Sequence, residues 1–271
     1  MGTEIANNFF VWDVNPELVR FGALTIRWYG VLFACAFLFG FQLITWIYKR
    51  EGKPEKDLDS LFIYMVLGTV IGARLGHCFF YQPLDYLKDP LEIFKVWHGG
   101  LASHGAVVGI LTALYIYSKK HVGQPFLWLV SRITIVVALA AVFIRIGNFF
   151  NSEIVGMPTD LPWAVIFPRQ YYGEIVPRHP AQLYEAFAYL CIFIFLLITY
   201  VKHGKNTEPT LLIGWFFFLI FTARFFIEFI KAPQVEFEQS MALDMGQILS
   251  IPLVIFGLYM LWYAKKKKKS K

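Results

Sequence analysis

An arginine, two asparagines and a glutamate fall within nine residues at the end of an apolar run: Arg145-Ile146-Gly147-Asn148-Phe149-Phe150-Asn151-Ser152-Glu153-Ile154-Val155-Gly156. In hydrocarbon an arginine costs about 2.5–3.5 kcal/mol on insertion scales, so it pairs or meets a ligand rather than facing lipid. A guanidinium has the fork that matches a phosphate, and amide side chains add neutral donors. The stretch therefore reads as a holder for the phosphate of a lipid. Other chemistry-bearing residues are also embedded in apolar runs: Arg27, Arg74, His77, His104, Arg224 and Glu228. Ser103 and His104 are adjacent, which on a helix points them apart and argues against a serine–histidine pair. No Walker-type loop, HExxH, CxxC or GxSxG pattern occurs, so nucleotide, zinc and acyl-serine chemistries have no support. No metal and no cofactor is expected.

The elements that carry these residues are membrane spans. Of the 271 residues, 57% are hydrophobic and only 16% charged, well outside the range of a soluble domain. About 20 apolar residues cross a bilayer core, and seven such runs can be drawn: Ala23–Tyr48, Leu58–Tyr81, Leu101–Tyr117, Phe126–Gly147, Ala181–Val201, Leu211–Ile230 and Met245–Ala264. The expected fold is all-α, a polytopic bundle of seven transmembrane helices forming one integral membrane domain. Cys35, Cys78 and Cys191 lie inside these runs and suggest neither a disulfide framework nor a metal site. The N-terminus shows no cleavable signal pattern.

Lysines and arginines in the connections set the orientation. One set of loops, with the tail, holds fourteen: Lys49, Arg50, Lys53, Lys56, Lys119, Lys120, Lys202, Lys205, Lys265–Lys269 and Lys271. The opposite set holds six: Arg20, Lys88, Lys95, Arg169, Arg178 and Lys231. This places the N-terminus outside and the C-terminus in the cytoplasm. The lysine tail reads as a headgroup-facing anchor rather than a nucleic-acid patch. The longer connections, about 82–100 and 148–180, fall outside and mix prolines with Trp97, Trp163, Tyr171 and Tyr172. They read either as a lid or small head over the outer leaflet or as ordinary interfacial loops.

At 1.5 Å per residue, Arg27, Arg74, His77, His104, Arg145, Arg224 and Glu228 all fall in the outer half of their spans. Only Arg132 lies toward the cytoplasm, close enough to snorkel. A shared polar cavity opening to the outer leaflet explains the bias. Plainer readings stand beside it. Arg27 next to Trp28 and Tyr29 suits an interface anchor, Arg224 and Glu228 four apart could neutralise each other, and His77 on a glycine-rich span suits a packed histidine. Pro180 suits the first turn of the fifth span, where His179, Gln182 and Glu185 either bind an anion or cap the helix.

The motifs, taken in order, resemble the prolipoprotein diacylglyceryl transferase family of bacteria over almost the full chain. They are Ile26-Arg27-Trp28-Tyr29-Gly30, Gly72-Ala73-Arg74-Leu75-Gly76, His98-Gly99-Gly100-Leu101-Ala102-Ser103-His104-Gly105, the stretch from Arg145 to Gly156, Arg178-His179-Pro180-Ala181-Gln182-Leu183-Tyr184-Glu185, Arg224-Phe225-Phe226-Ile227-Glu228-Phe229 and Gly246-Gln247-Ile248-Leu249-Ser250. Ala106 departs from the glycine common there in the family, which affects local packing and leaves the imidazole in place. The resemblance implies a multi-pass protein of the bacterial cytoplasmic (inner) membrane with its site toward the outer leaflet. It implies transfer of the sn-1,2-diacylglyceryl group of phosphatidylglycerol to the lipobox cysteine thiol of a prolipoprotein, with release of glycerol phosphate. The partners so implied are phosphatidylglycerol, lipobox peptides and the bilayer, with no nucleic acid.

For that chemistry His104 is expected to assist thiol deprotonation, and Arg145 and Arg224 to stabilise charge growing on the leaving phosphate. Tyr29 is expected to donate to the lipid head. Arg74, Asn148, Asn151, Glu153, Gly156 and Glu228 are expected at the lipid, Glu153 and Glu228 by orienting the arginines. His179, Gln182, Tyr184, Glu185 and Gln247 are expected in support. Rival readings are a transporter or flippase for an anionic lipid or metabolite, which would need a cytoplasmic pathway, and a structural or chaperone-like membrane subunit. Covalent product formation separates the first reading from both.

Overall fold

The computed structural model describes residues 9–22, 24–95, 99–170, 175–233 and 241–269. Trp97, His98, Tyr171, Tyr172 and Lys271 lie outside the described residues. The chain divides into two compact units, one formed by Met1–Leu43 with Thr134–Lys271 and the other by Ile44–Ile133.

Helices account for most of the described chain: α1 (Trp28–Glu51), α2 (Leu58–Phe80), the short α3 (Pro83–Lys88), α4 (Ser103–Lys120), α5 (Phe126–Phe150), α6 (Ala181–His203), α7 (Pro209–Glu228) and α8 (Met245–Lys269). Among the described residues six helical segments are long and apolar enough to cross a membrane. The protein is a multi-pass helical membrane protein. Helix α4, at the place of the third expected span, is not among the six. It begins at Ser103 and ends on Lys119-Lys120, so polar residues occupy both of its ends.

The first span starts later than its apolar run suggests. Leu24–Arg27 (β3) pairs antiparallel with Glu17–Phe21 (β2), and the chain turns through Gly22 at φ +57°. The β-branched pair Thr25-Ile26 favours the strand, and the helix begins only at Trp28. A second small sheet joins Phe10–Val11 (β1), Val165–Ile166 (β4) and Pro177–Arg178 (β5) in the order β1-β4-β5. Trp12 follows β1 and packs on Phe149 and Phe150 at the end of α5, with ring centroids 4.4 and 5.3 Å apart. The expected outer segments thus carry short elements: α3 and the 3-10 turn Pro90–Phe94 in one, β4 and β5 in the other.

Within the first unit α7 and α8 are joined by glycines. A Cβ on Gly257 would lie 2.5 Å from the Phe218 nitrogen, and one on Gly246 would lie 2.6 Å from the Glu228 carboxyl carbon. Small residues let helix backbones approach in this way when lipid gives no hydrophobic drive between them.

Within the second unit the same device is stronger. Gly68, Gly72 and Gly76 of α2 face Gly105, Gly109 and Ala113 of α4, and a Cβ on Gly109 would stand 2.1 Å from the Gly68 oxygen. Elsewhere in this unit Tyr48 and Tyr117 donate to Gln124 Oε1 at 2.5 and 2.9 Å, and Gln124 donates to Asp57 at 2.7 Å. Arg132 does not snorkel out as its position in the run suggests. It is buried, with its Nε 2.9 Å from Glu51 Oε1, and Glu51 also accepts from Trp128.

Candidate active site

Helix α5 ends in a turn that folds its own polar residues back on themselves. The amides of Asn151, Ser152 and Glu153 donate to the carbonyls of Gly147, Phe149 and Asn148 at 3.0 Å. Ser152 and Ile154 both adopt positive φ, 55° and 58°. For a β-branched residue that is a true outlier, of the kind that persists only where surrounding structure holds it. The turn returns the Glu153 carboxylate to the helix end, where Oε1 accepts from Asn148 at 2.7 Å and from Asn151 at 3.2 Å. Arg145 Nη1 donates to Asn148 Oδ1 at 3.1 Å, and Gln182 Nε2 donates to the Glu153 carbonyl at 2.7 Å. The Ser152 hydroxyl, Asn151 Oδ1 and Gln182 Oε1 are buried with no hydrogen-bond partner among the described residues.

Behind this turn lies a chain of buried charges. Arg145 Nε is 3.0 Å from Glu185 Oε2. Glu185 Oε1 accepts from Tyr189 and from Lys231, each at 3.1 Å. Lys231 Nζ also reaches Glu228 Oε2 at 3.0 Å, and Arg224 Nε approaches the same oxygen at 3.8 Å. The Glu185 side chain has no exposure, that of Lys231 is 2% exposed, and that of Arg224 is 34% exposed. An unpaired charge at such depth is strongly disfavoured, and here each buried charge has a counter-charge in reach. Glu228 is chiefly the partner of Lys231. Arg224 keeps an open guanidinium, with Glu228 its one close partner among the described residues.

Three further contacts fix the frame. The Tyr29 ring rests on Gly147, where a Cβ would stand 2.8 Å from Tyr29 Cδ2. Gly156 passes between two backbones, since a Cβ there would be 2.6 Å from the His179 oxygen and 2.8 Å from that of Ile230. The Gly156 amide donates to His179 and the Met157 amide to Ile230, at 2.9 and 2.8 Å. Tyr184 OH accepts from Trp163 at 2.8 Å and lies 3.3 Å from His179 Nδ1. Gln247 caps α8 by exchanging hydrogen bonds with Asp244 and donates to the Phe225 carbonyl at 3.4 Å.

In the second unit Arg74 is buried, and its hydrogen bonds among the described residues go to backbone carbonyls. Its Nε donates to Ile93 O at 3.0 Å, Nη1 to Gly99 O at 2.6 Å and Gly100 O at 3.3 Å, and Nη2 to Glu92 O. Gly100, at φ +70°, tolerates this approach because a Cβ would sit 2.8 Å from Arg74 Nη1. His77 lies 3.1 Å from Gln82 Oε1 and stacks on Tyr81. The Ala102 amide donates to Ala73 O at 2.9 Å and sets the start of α4. His104, its second residue, is exposed, with no hydrogen bond from its ring among the described residues.

Within the first unit the largely buried Arg145 and the amides of Asn148 and Asn151, on and just beyond a helix long and apolar enough to cross a membrane, form a polar cluster of the kind that suits an anion. Residues 16–263 match the family model for prolipoprotein diacylglyceryl transferase. The chain belongs to this family. It is 49% identical to the phosphatidylglycerol–prolipoprotein diacylglyceryl transferase of Chloroherpeton thalassium over 261 residues, 96% of each chain. It is 44% identical to that of Tolumonas auensis, over 95% of this chain and 98% of the relative. Against that of Bacteroides fragilis the identity is 40%, over 96% and 97%.

In this diacylglyceryl transferase family member the first unit brings together Tyr29, Arg145, Asn148, Asn151, Glu153, Gly156, His179, Gln182, Tyr184, Glu185, Arg224, Glu228 and Gln247. Arg74 and His104 belong to the second unit. Two details add to the sequence reading. Glu185, rather than Glu153, touches the Arg145 guanidinium, because Glu153 reaches it only through Asn148. Lys231, read only as a loop charge, links Glu185 to Glu228. Its spacing of three from Glu228 was the available signal.

Proposed function

We propose that the chain transfers the sn-1,2-diacylglyceryl group of phosphatidylglycerol to the lipobox cysteine thiol of a prolipoprotein. Family membership supports this, as do the names of relatives that match end to end. The observation that carries the chemistry is the pair Arg145 and Arg224, held by the Glu185–Lys231–Glu228 chain.

The substrate thiol, with an ordinary pKa of about 8.5, must lose its proton to attack carbon efficiently. The His104 imidazole takes that proton. The sulfur forms a bond to the glyceryl carbon bearing the phosphate, the carbon–oxygen bond breaks, and its electron pair leaves on glycerol phosphate. The phosphate passes from one negative charge toward two, and preorganised guanidinium groups stabilise that change. Arg224 meets the phosphate with its open face, while Glu153, through Asn148, holds Arg145 in its orientation toward it. Tyr29 contributes a donor to the lipid head. Arg74 shapes the loop that precedes His104.

On this reading the chain is one integral membrane domain in the bacterial cytoplasmic membrane. Helix α4 crosses with the other six, the N-terminus and the site face outward, and residues 82–100 and 148–180 lie at the outer surface. The excess of Lys and Arg in one set of connections supports the orientation.

The test is purified protein in detergent with phosphatidylglycerol and a lipobox peptide, followed by mass spectrometry. The expected product is a diacylglyceryl thioether on the cysteine peptide and none on a serine control. Bound lipid without thioether would count for a lipid transporter instead.

A further inference from the structure

The turn that carries Asn151 and Glu153 is strained at Ser152 and Ile154, so its surroundings must hold it in that shape. The last turn of α5 that leads into it includes Gly147, a poor helix former. The holder is a small apolar core. Phe149, at the end of α5, and Val155, directly after Ile154, are both buried in one cluster with Val165 and Phe167. Trp12 packs on that cluster from the N-terminal segment. Its ring also stands edge-on to Phe150, and Trp28 stacks on the same phenylalanine with centroids 4.9 Å apart. Apolar contacts thus hold Phe149, Phe150 and Val155. Arg145, Asn148 and Asn151, spaced by three, carry the polar contacts of the same stretch.

Trp12 is also tied to the polar support of that stretch. Its amide donates to Ile166 O at 2.9 Å, and β1 pairs with β4, which pairs with β5. From β5 the chain runs through His179 and Pro180 into α6, where Gln182 bonds the Glu153 carbonyl and Glu185 meets Arg145. One sheet therefore anchors both supports, the aromatic one from β1 and the polar one from β5. We infer that Trp12 is a positioning residue for the transfer reaction. It presses the end of α5 toward Gln182 and Glu185, so that Arg145 and Asn148 keep the geometry the phosphate needs. The ring alone does this, since Trp12 Nε1 is buried with no hydrogen-bond partner among the described residues. The inference rests on the transferase reading above and adds to it a residue outside the polar cluster.

The test compares full-length Trp12→Ala, Trp12→Leu and Trp12→Phe with wild type in thioether formation from phosphatidylglycerol and a lipobox peptide, per mole of folded enzyme. Trp12→Ala is expected to lower kcat about 10–100-fold, the scale of a small misplacement at a site, with KM for the peptide near the wild-type value. Trp12→Phe keeps an aromatic ring and loses only an unpaired N–H, so it should restore kcat. If Trp12→Ala does not fold, Trp12→Leu takes its place with the same expectation. A cycle with Asn148→Ala separates positioning from plain stability, because coupled residues lose activity non-additively. Once Asn148 is truncated, Trp12→Ala should cost little further kcat. Additive losses would overturn the inference, as would an unchanged kcat in both Trp12→Ala and Trp12→Leu. Wild-type protein that forms no thioether would overturn the transferase reading. Amide exchange over residues 147–155 then decides the support itself: faster exchange in Trp12→Ala sustains it, and equal protection overturns it.

Discussion

Arg145 Nε lies 3.0 Å from the Oε2 of Glu185, a carboxylate with no exposure to solvent. The partners come from different helices, α5 and α6, and the contact ties the arginine of the signature stretch to the buried charge chain. On the proposed reading, a phosphate at Arg145 would meet a guanidinium whose orientation is already set, which is what preorganised charge stabilisation requires.

Arg145→Ala is expected to lower the rate of thioether formation by about 10²–10³ at equal protein abundance. Arg145→Lys should also be impaired, because a lysine retains charge but loses the fork that serves Glu185 and Asn148 together. Product per mole of enzyme by mass spectrometry checks both. A near-normal Arg145→Ala enzyme would falsify the phosphate role.

Lys231→Met leaves Glu185 and Glu228 buried without their shared cation. Breaking one side of a buried ion pair typically costs about 3–5 kcal/mol, so the melting temperature in detergent should fall clearly. Pairing it with Glu228→Gln should recover part of the loss, because one stranded charge is removed. Equal melting temperatures for wild type and the single variant would show that Lys231 is dispensable to the chain of charges.

Gly109→Ala places a methyl 2.1 Å from the Gly68 oxygen and forces α2 and α4 apart. Overpacking of this kind costs about 1–3 kcal/mol. Gly30→Ala, where a Cβ meets nothing within 4 Å, is the matched control and should be near neutral. Thermal unfolding of the two side by side separates a packing effect from a general intolerance of substitution.

Arg74→Lys keeps the charge and cannot reproduce four donations to Glu92, Ile93, Gly99 and Gly100. Amide hydrogen exchange over residues 83–100 is expected to accelerate while exchange in α8 stays unchanged. Equal protection in the variant would show that the loop holds itself.

Helix positions were legible because apolar runs are long and their ends carry clear signals. Phe126, Ala181 and Met245 start helices where the runs start. The first span was misread at its beginning, since Leu24–Arg27 is apolar enough to look helical and is claimed by pairing with Glu17–Phe21. The polar site residues were visible as expensive side chains in hydrocarbon. Their partners were not. Lys231 meets Glu185 across 46 positions of sequence, a contact that no local spacing encodes. Likewise Arg74 offered only a buried positive charge to the reader of the sequence, and the carbonyls it serves lie 18 to 26 positions further along the chain.

The interlocked glycines of α2 and α4 also limit what can move. With Gly105 seated 2.2 Å, at a notional Cβ, from the Gly72 oxygen, the two backbones mesh like the teeth of a closed clasp. Neither helix can slip along or roll against the other without a collision between main chains. His104, one residue before Gly105, thereby inherits its height and heading from α2, and the freedom left to it is rotation about its own side-chain bonds.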